Sequence, residues 1–151
     1  MSDLSEFPEA RDALEALYRE VVLEHYRNPR NRAPLARVTA AARAVNPVCG
    51  DQVQVEVELV GGRIAAVSSR ARGCSIAVAS GSVMTELVGG VTPADARARG
   101  DELARIVRGE PARADLDPRL RAFGRVASLP SRQRCATLAW EALAEALGAA
   151  P

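Results

Sequence analysis

The chain has 151 residues and a mass of 16.0 kDa, the usual size of one compact domain with a buried core. A formal net charge of +1 and an aromatic content of 3% exclude a protein that holds nucleic acid by bulk electrostatics or by base stacking. All 20 basic residues are arginine, which excludes a lysine Schiff base and a P-loop lysine.

The composition is that of a globular protein, with 48% hydrophobic and 26% charged residues. We expect a single domain over residues 1–151, in which residues 1–11 form a flexible N-terminal extension. No segment reaches the roughly 18 apolar residues of a membrane span, and the N-terminus lacks the apolar core of a signal peptide. We therefore expect a cytoplasmic protein with neither a membrane nor nucleic acid among its partners.

The first half of the chain combines a helical pattern with strand patterns. An amphipathic helix is predicted over Asp12–Tyr26, and the proline-containing loop after it would end the helix. An edge strand is predicted over Val38–Val45, and alternating apolar residues predict a second strand over Gln52–Val60. The two glycines that follow indicate a hairpin, which returns through Arg63–Ala71. These strands would form one antiparallel meander.

The second half of the chain is predicted to be helical. A helix starts at Ser75 and ends at Gly89, and a capped helix follows over Thr92–Arg108. A short helix over Arg119–Ala127 and a last one over Pro130–Gly148 complete the pattern. The apolar face of the last helix would pack on the sheet or on the first helix. The predicted fold class is α+β, with a small three-stranded antiparallel sheet packed against several helices.

Cys49, Cys74 and Cys135 are the only cysteines, and Asp51 lies two residues after the first of them. An odd number of cysteines in a reducing compartment favours metal binding or thiol chemistry over a disulfide framework. Three thiolates and a carboxylate can fill the four positions of a tetrahedral site for a soft metal. The alternative is that the cysteines are small buried hydrophobic residues.

The predicted elements suggest how these ligands could meet. Cys49 and Asp51 share a face of an extended segment, and Cys74 directly precedes a helix whose N-terminus favours a thiolate. Cys135 lies in the first turns of the last helix, where Arg132 and Arg134 would also favour the thiolate. We expect a shallow, partly exposed site.

Four motifs follow one another along the chain. They are Leu17-Tyr18-Arg19 with His25-Tyr26-Arg27-Asn28-Pro29-Arg30-Asn31, Asn46-Pro47-Val48-Cys49-Gly50-Asp51, Gly73-Cys74-Ser75-Ile76-Ala77 and Arg134-Cys135-Ala136-Thr137-Leu138-Ala139-Trp140. Together they resemble the IscU-like family of iron–sulfur assembly proteins and its SufU branch in particular. The resemblance covers about Leu17–Leu147.

Two departures from the scaffold-type members favour the SufU branch. Scaffold-type proteins carry a histidine immediately before the third cysteine, whereas Arg134 occupies that position here. They also lack an insertion between the second and third cysteines, which we expect to correspond to part of Ala94–Asp117. The single histidine of this chain, His25, is expected at a helix end or an interface rather than in the site.

The resemblance implies an IscU/SufU-like fold and a zinc-dependent sulfurtransferase of iron–sulfur cluster biogenesis. Its implied zinc ligands are Cys49, Asp51, Cys74 and Cys135. Cys49 would accept persulfide sulfur from a SufS-type cysteine desulfurase, and the sulfur would pass to the downstream SUF cluster assembly machinery.

Two alternative functions use the same four residues. One is an iron–sulfur cluster scaffold of the IscU type, and the other is a domain whose zinc is purely structural. Arg132 and Arg134 are candidate residues beside the ligands. Arg132 would contact the partner or stabilise a leaving thiolate, and the alternative is a solvated arginine on a first helical turn.

Overall fold

The structure is a computed structural model, and it describes residues 8–149. The first helix begins at Pro8, four residues before the predicted Asp12, and residues 1–7 of the expected N-terminal extension lie outside the described part. The elements, in chain order, are α1 (Pro8–Arg27), β1 (Ala40–Asn46), β2 (Asp51–Val60), β3 (Arg63–Arg72), α2 (Ser75–Val88), α3 (Pro93–Val107), α4 (Pro118–Arg121) and α5 (Gln133–Ala149).

The three strands form one antiparallel sheet in the order β1-β2-β3, as predicted. Gly61 and Gly62 make the β2–β3 turn with φ of +60° and +76°, the left-handed values that a two-residue hairpin favours. Alternate residues of β2, Val53, Val55 and Val57, are fully buried against the helices. The other face of the sheet carries polar residues, which is the pattern of a sheet covered on one side.

The helices cover the buried face of this sheet. Helix α5 packs on β1 and β2 and also contacts α2 and α3, so its apolar stripe lies on the sheet. Helix α2 packs on β3 and on α1. The resulting core includes the fully buried Met84, Leu138 and Phe123. The predicted α+β fold class is confirmed.

The segment between α2 and α5 differs from its prediction in two places. Helix α3 is capped as predicted, because the Thr92 Oγ1 atom accepts a hydrogen bond of 3.1 Å from the Asp95 amide. The predicted helix over Arg119–Ala127 is α-helical only in α4 and continues as a 3₁₀ helix over Ala122–Ser128. A Cβ at Gly124 would lie 3.3 Å from Ile106, so the backbone of this 3₁₀ helix packs closely against α3. At the second place, Pro130–Arg132 forms a short 3₁₀ helix, and the last helix begins at Gln133 rather than at Pro130.

Four pieces of backbone meet at one end of the sheet. They are the turn between β1 and β2, the end of β3, the start of α2 and the start of α5. All three cysteines lie at this end. Among residues 8–149, no helix is long and apolar enough to cross a membrane.

Candidate metal and sulfur site

The turn between β1 and β2 holds Cys49 at the surface. Asn46 and Asp51 form the last pair of the two strands, and Asn46 is only 4% exposed. Its side-chain Oδ1 accepts from the Val48 amide at 3.2 Å, and its carbonyl accepts from the Gly50 amide at 2.8 Å. Gly50 has φ of +77°, which reverses the chain immediately after Cys49. The thiol is therefore carried on an ordered turn.

Asp51 lies at the start of β2 and is 4% exposed. Its Oδ1 accepts a hydrogen bond of 3.3 Å from the backbone amide of Cys74. This contact depends on Gly73, because a Cβ there would lie 2.3 Å from Asp51 Oδ1. The end of β3 thus approaches the carboxylate more closely than a larger residue would allow.

The ligand atoms of three predicted site residues converge. One atom each from Cys49, Asp51 and Cys135 lies within 4.8 Å of the other two, and the Sγ atoms of Cys49 and Cys135 are 3.9 Å apart. Cys74 borders this group rather than completing it. Its backbone amide donates to Asp51 Oδ1, and its thiol acts on the pKa of both Asp51 and Cys135.

Protons are distributed unevenly over these groups. Burial acts to raise the pKa of Asp51, but the neighbouring thiols of Cys135, Cys49 and Cys74 outweigh it, and the pKa of the carboxyl falls. Burial raises the pKa of Cys135, and the neighbouring Asp51 carboxylate raises it further. In the protein alone, Asp51 is ionised and Cys135 keeps its proton.

The predicted lowering of the Cys135 pKa by Arg132 and Arg134 is not found in the protein alone, because burial raises that pKa instead. Arg134 turns away and donates to Glu141 at 3.4 Å. Arg132 does lie beside the site, because contacts with Cys135 and Cys74 raise the pKa of its guanidinium. Its exposed charge is weaker than the burial of Cys135, which dominates.

The donor set fits a soft divalent metal such as zinc. Asp51 Oδ2 is buried, and no hydrogen-bond donor among residues 8–149 reaches it. An unpaired buried carboxylate oxygen is costly, and a cation beside it would remove that cost. Sulfur and carboxylate donors are the ligands that zinc takes in proteins. Cys49, Asp51 and Cys135, with Cys74 at their border, could hold one such ion.

The three thiols differ in exposure, which corrects the expectation of a shallow site. Cys135 is fully buried, Cys74 is half-buried and Cys49 is exposed. Cys135 lies deep because α5 packs its first turns against the sheet. The site is therefore buried at Cys135 and exposed to solvent at Cys49.

His25 lies outside the site, where α1 packs against α2. Its Nδ1 is 2.7 Å from Ser82 Oγ, and its Nε2 is 3.5 Å from the Glu86 carboxylate. Burial, with a further contribution from Arg30, lowers the pKa of the imidazole. These contacts tie the end of α1 to α2.

Two residues that organise the site, Asn46 and Gly73, belong to the sequence motifs, but the motifs indicated no role for them. Asn46 orders the turn that carries Cys49, and Gly73 lets the chain approach Asp51. An asparagine three residues before a cysteine and a glycine directly before another are the available signals. The glycine pattern does not reveal the approach to Asp51, because Gly73 and Asp51 lie far apart in sequence.

We expect Gly73→Ala to disturb the site more than the fold. The added methyl group cannot occupy its position 2.3 Å from Asp51 Oδ1, so either the carboxylate or the end of β3 must shift. Zinc affinity should fall about 10-fold or more, the loss typical of a disturbed ligand support. Competition for zinc with a chromophoric chelator measures the affinity of the variant.

Gly90→Ala is the matched control for this change. Gly90 also has a positive φ, +85°, but no atom lies within 4 Å of a Cβ placed there. It should lose stability from backbone strain without losing zinc affinity. Equal zinc affinities for Gly73→Ala and the unchanged chain would contradict the role given to Gly73.

Comparisons with known proteins agree with this geometry. The model of the NifU-like N terminal domain family matches residues 17–149. The chain is 33% identical over 131 residues to the zinc-dependent sulfurtransferase SufU of Bacillus subtilis, covering 86% of this chain and 88% of that protein. It is 36% identical over 140 residues to the iron–sulfur cluster assembly scaffold protein IscU of Streptococcus pyogenes, covering 91% and 87%.

Solved structures share the fold. A crystal structure of a protein described as hypothetical is 33% identical and superimposes with a TM-score of 0.81, covering 89% of this chain and 98% of that one. A putative iron–sulfur cluster assembly scaffold protein of the SUF system from Fervidobacterium islandicum is 24% identical, with a TM-score of 0.80 and coverage of 88% and 98%.

Proposed function

This chain belongs to the NifU-like N terminal domain family, in its IscU/SufU-like group of iron–sulfur cluster assembly proteins, and we propose that it is a zinc-dependent sulfurtransferase. It would act in the cytoplasm as one domain over residues 1–151. It would accept persulfide sulfur from a SufS-type cysteine desulfurase and pass it to the downstream SUF cluster assembly machinery.

One observation carries this proposal. An exposed thiol, Cys49, lies 3.9 Å from a fully buried one, Cys135, in a group that includes an ionised carboxylate. A purely structural site would have no need of an exposed ligand on a surface turn. A sulfur acceptor needs one, because its thiolate must reach a sulfur atom held by another protein.

The proposed step is a thiol–persulfide exchange at Cys49. The Cys49 thiolate attacks the terminal sulfur of the enzyme persulfide, forming a new S–S bond as the S–S bond of the enzyme breaks. The electron pair of the broken bond leaves with the enzyme as a cysteine thiolate. Cys49 now carries the persulfide with its proton, so sulfur moves without net oxidation or reduction.

The other ligands keep Cys49 ready for this step. Zinc, when bound, supplies the positive charge that keeps coordinated thiols deprotonated near neutral pH. Cys135 and Cys74 would anchor the ion, and Asp51 would be the harder, more weakly held donor. Arg132 lies beside Cys135 and Cys74, where its charge would stabilise their thiolates.

A cluster scaffold is the second candidate, supported by the similarity to the scaffold protein IscU of Streptococcus pyogenes. The same four residues would then bind an iron–sulfur cluster as cargo. Position 134 weighs against it, because the side chain there is an arginine bound to Glu141 and supplies no ligand.

Metal content together with a desulfurase assay tests the proposal. The transferase should purify colourless with about one zinc per chain. It should also stimulate a SufS-type desulfurase and acquire one sulfur atom at Cys49. A scaffold should instead become brown when iron and sulfide are supplied. A structural zinc protein should bind zinc and accept no sulfur, and either of these results would overturn the proposal.

A further inference from the structure

The outer face of the sheet, opposite the helices, is strongly basic at the end that carries Cys49. Arg43 of β1 lies across from Gln54 of β2, which lies across from Arg70 of β3. In the next row towards the site, Gln52 pairs with Arg72. A cleft of about 420 Å³ opens here, and its charged and polar lining consists of Arg32, Arg43, Arg70, Arg72, Gln52 and Gln54. We call its four arginines the arginine face.

Most of this charge is unbalanced within the protein. Arg70 lies 3.4 Å from the Glu56 carboxylate, which is in the row farther from the site. Arg43 donates to the neutral Gln52 side chain. Within residues 8–149, no carboxylate lies within 4 Å of Arg32, Arg43 or Arg72, and all three are exposed. Three guanidinium groups therefore point into one cleft without a counter-charge.

The arginine face continues into the site. Gln52 directly follows Asp51, and Arg72 precedes Cys74 by two residues. Along the chain between Arg43 and Cys49 lie two exposed apolar side chains, Val45 at 41% and Val48 at 92%. Apolar contacts bordered by charged and amide groups are typical of a protein–protein interface. They have no use in binding a small anion.

We propose that the arginine face docks a carboxylate-rich surface of the desulfurase that donates sulfur to Cys49. This inference rests on the proposed function. Arginine suits the role because its planar guanidinium binds carboxylates through two parallel hydrogen bonds. Docking there would place the acidic partner beside Cys49, and Val48 would lie within the contact.

The rest of the molecule favours a protein over nucleic acid as the occupant. The formal net charge is only +1, so the positive charge is local rather than spread over the surface. Within the described residues, the lining of the cleft contains no aromatic side chain on which a base could stack. The two glutamines can pair with the amide and carboxylate groups of a protein surface.

The test is charge reversal with a matched control. The double variant Arg43→Glu/Arg72→Glu reverses two charges of the arginine face. The control Arg37→Glu/Arg63→Glu makes the same change in net charge outside the cleft. Both residues are exposed, Arg37 in the loop before β1 and Arg63 at the start of β3. Arg43→Gln/Arg72→Gln is the milder variant, usable if charge reversal impairs folding. Zinc content and the thermal midpoint check that each variant is intact.

Stimulation of a SufS-type desulfurase is measured against the concentration of this chain at low and high salt. The charge-reversed variant should need about 10-fold or more protein for half-maximal stimulation at low salt, and the difference should shrink at high salt. The control should match the unchanged chain. The maximal rate, set by sulfur transfer at Cys49, should change by no more than about twofold.

The possible outcomes separate the two proposals. If the unchanged chain stimulates the enzyme and the charge-reversed variant behaves like the control, the docking inference is overturned and the proposed function stands. If the unchanged chain gives no stimulation at any concentration, the proposed function fails and the inference fails with it. If light scattering finds a dimer of the unchanged chain that only the charge-reversed variant loses, the arginine face binds a second copy, which overturns the inference.

Discussion

Replacing Cys49 with alanine should abolish sulfur acceptance while leaving the fold intact. No other exposed thiol exists in the chain, since Cys74 is half-buried and Cys135 is fully buried. Labelling with isotopic persulfide sulfur should fall by about 100-fold or more, because thiolate attack has no substitute nucleophile. The loss of an exposed side chain on a turn should change the free energy of unfolding of the metal-free protein by less than about 0.5 kcal/mol.

Intact mass spectrometry after incubation with the loaded desulfurase measures the first effect, and urea unfolding measures the second. Val60→Ala is a suitable control, because Val60 is also an exposed residue beside a hairpin turn, at the far end of the sheet. It should gain one sulfur atom as readily as the unchanged chain. Full sulfur loading of Cys49→Ala would assign acceptance to Cys74 or Cys135 and contradict the role given to Cys49.

The fold was largely predictable because its elements have strong local signals. Alternating valines in β2, the Gly61-Gly62 turn and the Thr92 cap each specify their structure within a few residues. The 3₁₀ helix over Ala122–Ser128 was not predictable in the same way. A Cβ at Gly124 would lie 3.3 Å from Ile106, and only the folded chain brings these two residues close together.

The family was also predictable from the order of four motifs, and the comparisons confirm it. The convergence of Cys49, Asp51 and Cys135 followed from that resemblance rather than from spacing, since 84 residues separate Asp51 from Cys135. The protonation of Cys135 could not be predicted. Neighbouring arginines in the sequence suggested a thiolate, but the burial of Cys135 between α5 and the sheet decides the outcome, and burial is a tertiary property.

The second large effect is expected for Cys135→Ala in the presence of zinc. At a free zinc concentration about 1,000 times the dissociation constant, binding adds about 4 kcal/mol to the free energy of unfolding of the unchanged chain. Loss of one thiolate from a site with four ligands should weaken binding by about 100-fold, since the ligands share the affinity. At the same free zinc, the stabilisation should therefore fall by about 3 kcal/mol.

Leu138→Val separates this effect from simple damage to the core. Leu138 is fully buried on α5, one turn after Cys135. Its shortening should lower the free energy of unfolding by about 1 kcal/mol both with and without zinc, and the difference between the two conditions should persist. Cys135→Ala should instead lose most of that difference. If both variants kept the full stabilisation by zinc, the buried Cys135 thiol would not be a ligand. The metal would then have to be held by Cys49, Asp51 and Cys74 alone.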